Sequence, residues 1–336
     1  MTQNHESSPW IDPAWLNEVC DWIHVETNRS GHLVTGSLKQ IHERPWSAVF
    51  QVPAAGGKLI FKASADVLSH EAGLTQALAN LRPDDLPRVL AADPERGRML
   101  MVDGGTRLRE ILRADSDVGH WERLLPQYAH LQMAITDHLD EVKALGVPDR
   151  STARLPLLYQ SLLMDEECLL LGMPAGITIA EHDRLLELIP RVASICEQLR
   201  ATPIPDSIHH GDLHDGNIFL TEQGYLFFDW GDASISHPFF SLRTAWVSLE
   251  NSLGWEQDSP AFNPLRDVYL DAWGEFGSTA ELLAAFKLAR VLSPICSALS
   301  WHRVVSSLDK FLRVQYEEAI PSLLREYLAE EARVTE

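Results

Sequence analysis

The chain is short of several things whose scarcity narrows what it can be. Its 4 cysteines, Cys20, Cys168, Cys196 and Cys296, are isolated, and no two stand in a C-x-x-C pair. That spacing offers neither a zinc framework nor a disulfide framework, so they read as small buried apolar groups. Basic residues are also scarce, with 28 Lys and Arg against 48 Asp and Glu and a formal net charge of −20. Such a field repels a phosphate backbone, so nucleic acid is not an expected partner. It attracts cations, which tilts the expected ligand toward one bearing an amine. No apolar run approaches the roughly 18 residues needed to span a bilayer, so no membrane partner is expected. The N-terminus, MTQNHESSPW, lacks a basic region followed by an apolar core. A signal peptide is therefore not expected, and the cytoplasm is the expected compartment. There is no internal repeat and no low-complexity segment.

What is present is a globular composition, 45% hydrophobic and 23% charged over 336 residues. That length accommodates two domains. The most informative stretch runs from His209 to Asp232, HHGDLHDGNIFLTEQGYLFFDWGD. Asp212 follows a short apolar run and is expected at a strand end in a tight turn. Ile218, Phe219 and Leu220 read as a strand, Thr221 to Gly224 as a turn, and Leu226 to Phe228 as the return strand. Asn217 and Asp229 offer hard oxygens suited to a magnesium ion that already carries phosphate oxygens. Asp212 is suited to orient a hydroxyl and take its proton. Turn capping alone accounts for a lone Asp-Gly-Asn. Three polar positions at kinase spacing around a hairpin are less easily explained that way.

The residues His210-Gly211-Asp212-Leu213-His214-Asp215-Gly216-Asn217, followed by Asp229-Trp230, resemble the hallmark of the aminoglycoside phosphotransferase and choline kinase-like family. The chain departs from the family downstream, where a Gly-Asp-Pro is common and Ser236-His237-Pro238 stands instead. The resemblance implies an α+β, two-lobed protein-kinase-like fold. Its small lobe is an antiparallel sheet, expected over residues 1–102, and its larger lobe, over 103–336, is mainly helical. It implies ATP, with GTP as a second option, and Mg2+. Asp212 would be the base, with His210 bracing its turn, and Asn217 and Asp229 would hold metal.

The N-terminal half carries the other parts. Trp15, Leu16, Val19, Trp22 and Ile23 recur at helical spacing. Residues 48–52 and 58–63 read as strands joined by a turn, with Leu59 and Phe61 on one face and Lys58, Ile60 and Lys62 on the other. Val67, Glu71, Leu74 and Leu78 then form one helical stripe. A carboxylate in an apolar stripe needs a cation, and Lys62 is the one available. Such a pair holds nucleotide phosphates in kinases. No glycine occurs in His42-Glu43-Arg44-Pro45-Trp46-Ser47, where a phosphate loop would lie. Ser47 or nearby backbone is the candidate contact, and a plain hairpin turn describes the same residues. Residues 88–91 and 98–102 read as further strands. Leu100, Met101, Val102 and Asp103 are the candidate adenine-binding hinge by position, before a helix expected at Thr106.

The remainder reads as helical. Trp121, Leu124, Leu125, Tyr128, Leu131 and Ile135 form an apolar face, and Thr178 to Glu181 is a capping box before a helix that Pro190 kinks or divides. Residues 282–292 and 295–308 have helical spacing, with Pro294 near their junction. Asp165-Glu166-Glu167 is a candidate acceptor-facing acidic cluster or a solvated helix face, and Trp301, in the trio Trp301-His302-Arg303, is a candidate acceptor-pocket residue or part of the core.

Three functions compete. The first is an ATP-dependent small-molecule kinase acting on an acceptor hydroxyl of an aminoglycoside, amino alcohol, sugar or similar molecule. The second is a catalytically silent kinase-like binding module. The third is a metal-dependent hydrolase built on His209, His210, Asp212 and His214. The acceptor itself is not readable, because one fold and one motif serve many.

Overall fold

The structure is a computed structural model that describes residues 9–256 and 259–335. Residues 1–8, to which the reading of the N-terminus mostly refers, lie outside that range. The fold is α+β and divides into two compact units. One comprises the residues up to Gly105 together with Leu220–Gly231; the other comprises Thr106–Phe219 and the residues from Asp232 on. The sequence division after residue 102 is a single cut, whereas these units interleave along the chain.

The first unit begins with α1 (Pro13–Arg29). Asp12 opens it by accepting the N–H groups of Ala14 and Trp15 at 2.8 and 2.9 Å, and Pro13 occupies a position that needs no N–H. Strands β1 (Lys39–Arg44), β2 (Ser47–Ala54) and β3 (Gly57–Ser64) follow, then α2 (His70–Leu81), β4 (Val89–Asp93) and β5 (Arg98–Val102). Among the described residues they form a five-stranded antiparallel sheet in the order β1-β2-β3-β5-β4. The alternation along β3 divides its side chains between two covers. Leu59 and Phe61 face a core with Phe50, Val52 and Leu100, against which Trp15, Leu16 and Trp22 of α1 pack. Ile60 packs with Met99, Met101 and Ala72 of α2. Burial of a side chain such as Phe61 contributes roughly 1.5–3 kcal/mol, so the two covers fix the register and hence the face on which Lys62 lies.

The second unit starts with the two-residue strand β6 (Thr106–Arg107), and α3 (Leu108–Asp115) begins two residues later than the expected start at Thr106. Then come α4 (Gly119–Ile135), α5 (Leu139–Ala144), α6 (Leu155–Leu163), α7 (Glu166–Leu169), α8 (Ile179–Glu187) and α9 (Ile189–Arg200). All six residues of the expected α4 face, from Trp121 to Ile135, are buried. The Thr178–Glu181 capping box forms, and Pro190, in the first turn of α9, divides two helices. Strand β7 (Ser207–His209), β8 (Ile218–Leu220), β9 (Tyr225–Phe227) of the first unit, and β10 (Ser234–Ser236) follow; β10 pairs antiparallel with β7. The chain ends in α10 (Leu242–Leu253), α11 (Phe262–Ala272), α12 (Thr279–Ser307), α13 (Lys310–Arg313) and α14 (Ala319–Thr335).

Helix α12 departs from two expectations. It runs unbroken through Pro294, which removes the N–H that would bond the carbonyl of residue 290. The Ser293 hydroxyl donates to the Arg290 carbonyl at 2.9 Å and replaces that bond. At 29 residues α12 is also long and apolar enough to cross a membrane, contrary to the reading that no run approaches that length. Its most apolar window is 72% buried within the protein, which is how the central helix of a packed unit is covered.

Candidate active site

Sequence placed Lys62 and Glu71 together, and the first unit does so. Lys62 Nζ lies 2.6 Å from Glu71 Oε1 and 2.5 Å from Asp229 Oδ1. Ser64 donates its hydroxyl to Glu71 Oε2 at 2.8 Å. The Glu71 side chain is 1% exposed, that of Asp229 45%. One carboxylate is thus a buried anchor and the other opens to solvent. Burial lowers the Lys62 pKa, but the charges of Asp229 and Glu71 outweigh it and raise the value above its ordinary range, so the ammonium stays charged. Burial pushes the Glu71 carboxyl up, with the Lys62 charge and the Ser64 hydroxyl opposing it. Asp229 has φ 68°, a left-handed backbone that Asp tolerates better than most residues. Next to it, a Cβ at Gly231 would lie 3.3 Å from Glu71 Oε2.

The other nucleotide candidates of this unit lie in the sheet. Ser47 opens β2, is buried, and is paired with Arg44 on one side and Ser64 on the other. The glycine-free stretch before it is the end of β1, through Arg44, and the two-residue turn Pro45-Trp46. Leu100 and Met101 are buried strand residues paired with Phe61 and Ile60 of β3. The Val102 N–H donates to the Arg88 carbonyl at 2.9 Å and the Asp103 N–H to the Lys58 carbonyl at 3.1 Å. Two of the proposed hinge donors are therefore occupied by the sheet, because β5 lies between two neighbours.

In the second unit the chain turns sharply after β7. Gly211 has φ 82°, and a Cβ there would meet the Asp232 carbonyl at 2.3 Å. Only glycine fits that approach. His210 is fully buried; its Nδ1 accepts the Asp212 N–H at 3.3 Å, and its own N–H donates to the Tyr128 hydroxyl at 3.1 Å. Asn217 Nδ2 donates to Asp212 Oδ2 and to the Asp212 carbonyl, each at 3.0 Å. That leaves the Asn217 carbonyl oxygen as the end available to a cation. His214 Nε2 lies 3.3 Å from the same Asp212 Oδ2, while its Nδ1 accepts the Gly216 N–H at 2.9 Å. Nε2 thus donates to Asp212 Oδ2, which takes two donors. His210, Asp212 and Asn217 are brought together, as the motif spacing predicts.

Sequence reasoning missed the supports of this turn. Arg109 Nε donates to Asp215 Oδ1 at 2.7 Å, and its Nη2 lies 3.2 Å from His214 Nδ1. Asp215 also accepts the Ser252 hydroxyl at 2.7 Å. Beneath β7, Gln132 Nε2 donates to the Ile208 carbonyl at 2.8 Å and Ser207 Oγ to the Gln132 carbonyl at 2.6 Å. The Tyr269 hydroxyl donates to Gln132 Oε1 at 2.7 Å. Gln132 stands on the apolar α4 face, and a polar residue there was the one available signal. The departure at Ser236-His237-Pro238 also has a local account: His237 Nδ1 accepts the Phe239 N–H at 3.3 Å and caps the next turn as a carboxylate would.

The hydrolase alternative does not hold. Among the described residues, Asp165, Cys168 and His302 form the one group of three or more metal-ligating side chains lying together. His209 is engaged elsewhere, its Nδ1 2.9 Å from Ser241 Oγ. His209, His210, Asp212 and His214 do not form a zinc cluster.

A model of the phosphotransferase enzyme family matches residues 45–284. Curated protein sequences give no match. Among solved structures, an ethanolamine kinase from Plasmodium vivax aligns with TM-score 0.61 at 13% identity, covering 94% of this chain and 91% of that one. A choline kinase from Cryptosporidium parvum Iowa II gives 0.59 at 15% identity, covering 95% and 96%. An amicoumacin kinase solved with AMP-PNP, Ca2+ and Ami gives 0.56 at 10% identity, covering 96% of each. These structures share the fold. The family match spans more than half of the sequence, and the chain belongs to the phosphotransferase enzyme family, whose members transfer a phosphoryl group to an alcohol.

Proposed function

We propose that the protein is an ATP-dependent kinase of a small molecule, moving the γ-phosphoryl group to an acceptor hydroxyl in the cytoplasm. The observation that carries this reading is Lys62, a charged lysine held by buried Glu71 and by solvent-open Asp229. A cation so fixed is suited to phosphate oxygens. An amicoumacin kinase of the same fold, solved with AMP-PNP and Ca2+, supports nucleotide and metal use. The first unit would bind nucleotide, with ATP or GTP as donor. Its adenine contact would come from the Leu100–Asp103 backbone groups that the sheet leaves open, and Ser47 is at most an accessory.

Magnesium, when bound, would neutralise charge on the phosphates. Asn217 through Oδ1 and Asp229 through its carboxylate are the residues to hold it, both being hard oxygen donors. Asp212 would accept the acceptor hydroxyl proton on Oδ1, since Oδ2 is already clamped by Asn217 and His214. As that O–H gives up its proton, its oxygen bonds to the γ-phosphorus and the bond to the β,γ-bridging oxygen breaks. His210 keeps the Asp212 turn in shape. The second unit would bind the acceptor, and the net charge of −20 favours one carrying an amine, such as an aminoglycoside or amino alcohol.

The test is phosphorylation across a panel of aminoglycosides, amino alcohols and sugars with ATP and GTP, for wild type and Asp212→Asn. Transfer to one acceptor class, lost on substitution, supports the reading. Nucleotide binding without transfer to any acceptor would favour a silent module. No nucleotide binding by folded protein with magnesium present would overturn the kinase reading.

A further inference from the structure

Two sequence features without a role in phosphoryl transfer meet in the second unit. Asp165 caps α7 and accepts the Cys168 N–H on Oδ1 at 3.1 Å. His302, from the middle of the Trp301-His302-Arg303 trio on α12, brings Nε2 to 2.8 Å from Asp165 Oδ2. One ligand atom from each of Asp165, Cys168 and His302 lies within 4.8 Å of the other two.

A carboxylate oxygen, a thiol sulfur and an imidazole nitrogen make a donor set that zinc accepts, at about 2.0–2.3 Å from the ion. Donors around a tetrahedral ion at those lengths are roughly 3.3–3.8 Å apart. The Asp165–His302 contact needs to open by about half an ångström and the sulfur to close by about one. Cys168 is 6% exposed and lines a cavity of about 180 Å³ with Val305, Arg313 and Tyr316. A fourth, water ligand would have to enter from that cavity, which Glu167, Lys310 and Arg313 also line.

We propose that Asp165, Cys168 and His302 bind a divalent ion of the zinc class and that the ion clasps α7 to α12. Binding forms three protein–metal bonds and releases the Cys168 thiol proton to solvent. Its sulfur and nitrogen donors differ in kind from the hard oxygens that Asn217 and Asp229 offer. A hydrogen-bonded corner, with His302 on Asp165 and the Cys168 sulfur 3.5 Å from the Ser306 hydroxyl, is the rival account.

The experiment uses the full chain, stripped with a chelator and reloaded with Co2+, which accepts zinc geometry and reports a thiolate by near-ultraviolet charge transfer. One equivalent is expected to give that band with tetrahedral visible absorption, displaced by Zn2+. Cys168→Ser should lose the band, and His302→Gln should weaken binding at least tenfold, each keeping its far-ultraviolet dichroism. Phosphoryl transfer should be unaffected in both variants. Cobalt bound without a sulfur band overturns the proposal, since a carboxylate site would give that result. A band that survives in Cys168→Ser overturns it as well.

Discussion

Lys62 and Glu71 form an ion pair at 2.6 Å whose side chains are 9% and 1% exposed. Glu71→Gln leaves Lys62 with half-exposed Asp229, 2.5 Å away, as its remaining anion, so the cost falls below the roughly 3–5 kcal/mol of a wholly uncompensated buried charge. Glu71→Gln is still expected to lower the urea midpoint below wild type. The double variant Lys62→Met, Glu71→Leu should recover most of that stability without nucleotide turnover. The raised Lys62 pKa means its contribution is complete below the ordinary lysine value and is lost only as pH rises through the higher folded value. A Glu71→Gln midpoint equal to wild type would contradict the account.

His214 gives a second, pH-dependent effect. Burial lowers its pKa, the Asp212 hydrogen bond and charge raise it, Arg109 lowers it and Asp215 raises it, with a net rise. A raised histidine contributes stability that is full below its unfolded value of about 6.5 and is lost as pH rises through the folded value. Wild type should thus exceed His214→Gln by more at pH 5.5 than at pH 8.5 in urea unfolding. An unchanged difference would show that Asp212 and His214 are not coupled.

Two other histidines act with the opposite sign. Burial, reinforced at His209 by the Arg150, His210 and Arg243 charges, pushes His209 down to about 3, and burial alone pushes His237 down to about 3. Both are neutral when folded, so below pH of about 6.5 the unfolded chain takes up protons that the folded one refuses. Stability should fall from there toward pH 3, by several kcal/mol per histidine at about 1.4 kcal/mol per pH unit. Asn in place of His237 retains a capping oxygen and does not titrate. His237→Asn should therefore show a shallower fall, and a slope equal to wild type would contradict this origin.

Gly211 is tied to Asp232 by sterics. With φ 82° and a Cβ position 2.3 Å from the Asp232 carbonyl, Gly211→Ala adds a clash to the roughly 1–2 kcal/mol of a left-handed backbone. Loss of stability and of activity together is expected, read by thermal unfolding and transfer assay. A fully active, equally stable variant would mean that the turn is not held as described.

What sequence made legible was local or strongly patterned. The spacing of Asp212 and Asn217 fixed one turn, and the misfit of Glu71 in an apolar stripe pointed to Lys62. Pairings across long separations left no pattern. Arg109 meets Asp215 across 106 residues, and His302 meets Asp165 across 137. Gln132 offered no signal beyond its polarity on the α4 face, since its partners are backbone carbonyls and a tyrosine hydroxyl. Pro294 suggested a break because a serine hydroxyl replacing the lost bond depends on a rotamer, which sequence does not encode.

The most direct test compares nucleotide affinity with single-turnover transfer in Asp212→Asn and Lys62→Met, using the acceptor that the panel identifies. Asp212→Asn is expected to bind nucleotide as wild type does while transfer slows by about 10²–10⁴-fold, the usual contribution of a general base. Lys62→Met is expected to weaken nucleotide binding as well. Transfer at the wild-type rate by Asp212→Asn would contradict the assignment of Asp212 as the base, and with it the central claim.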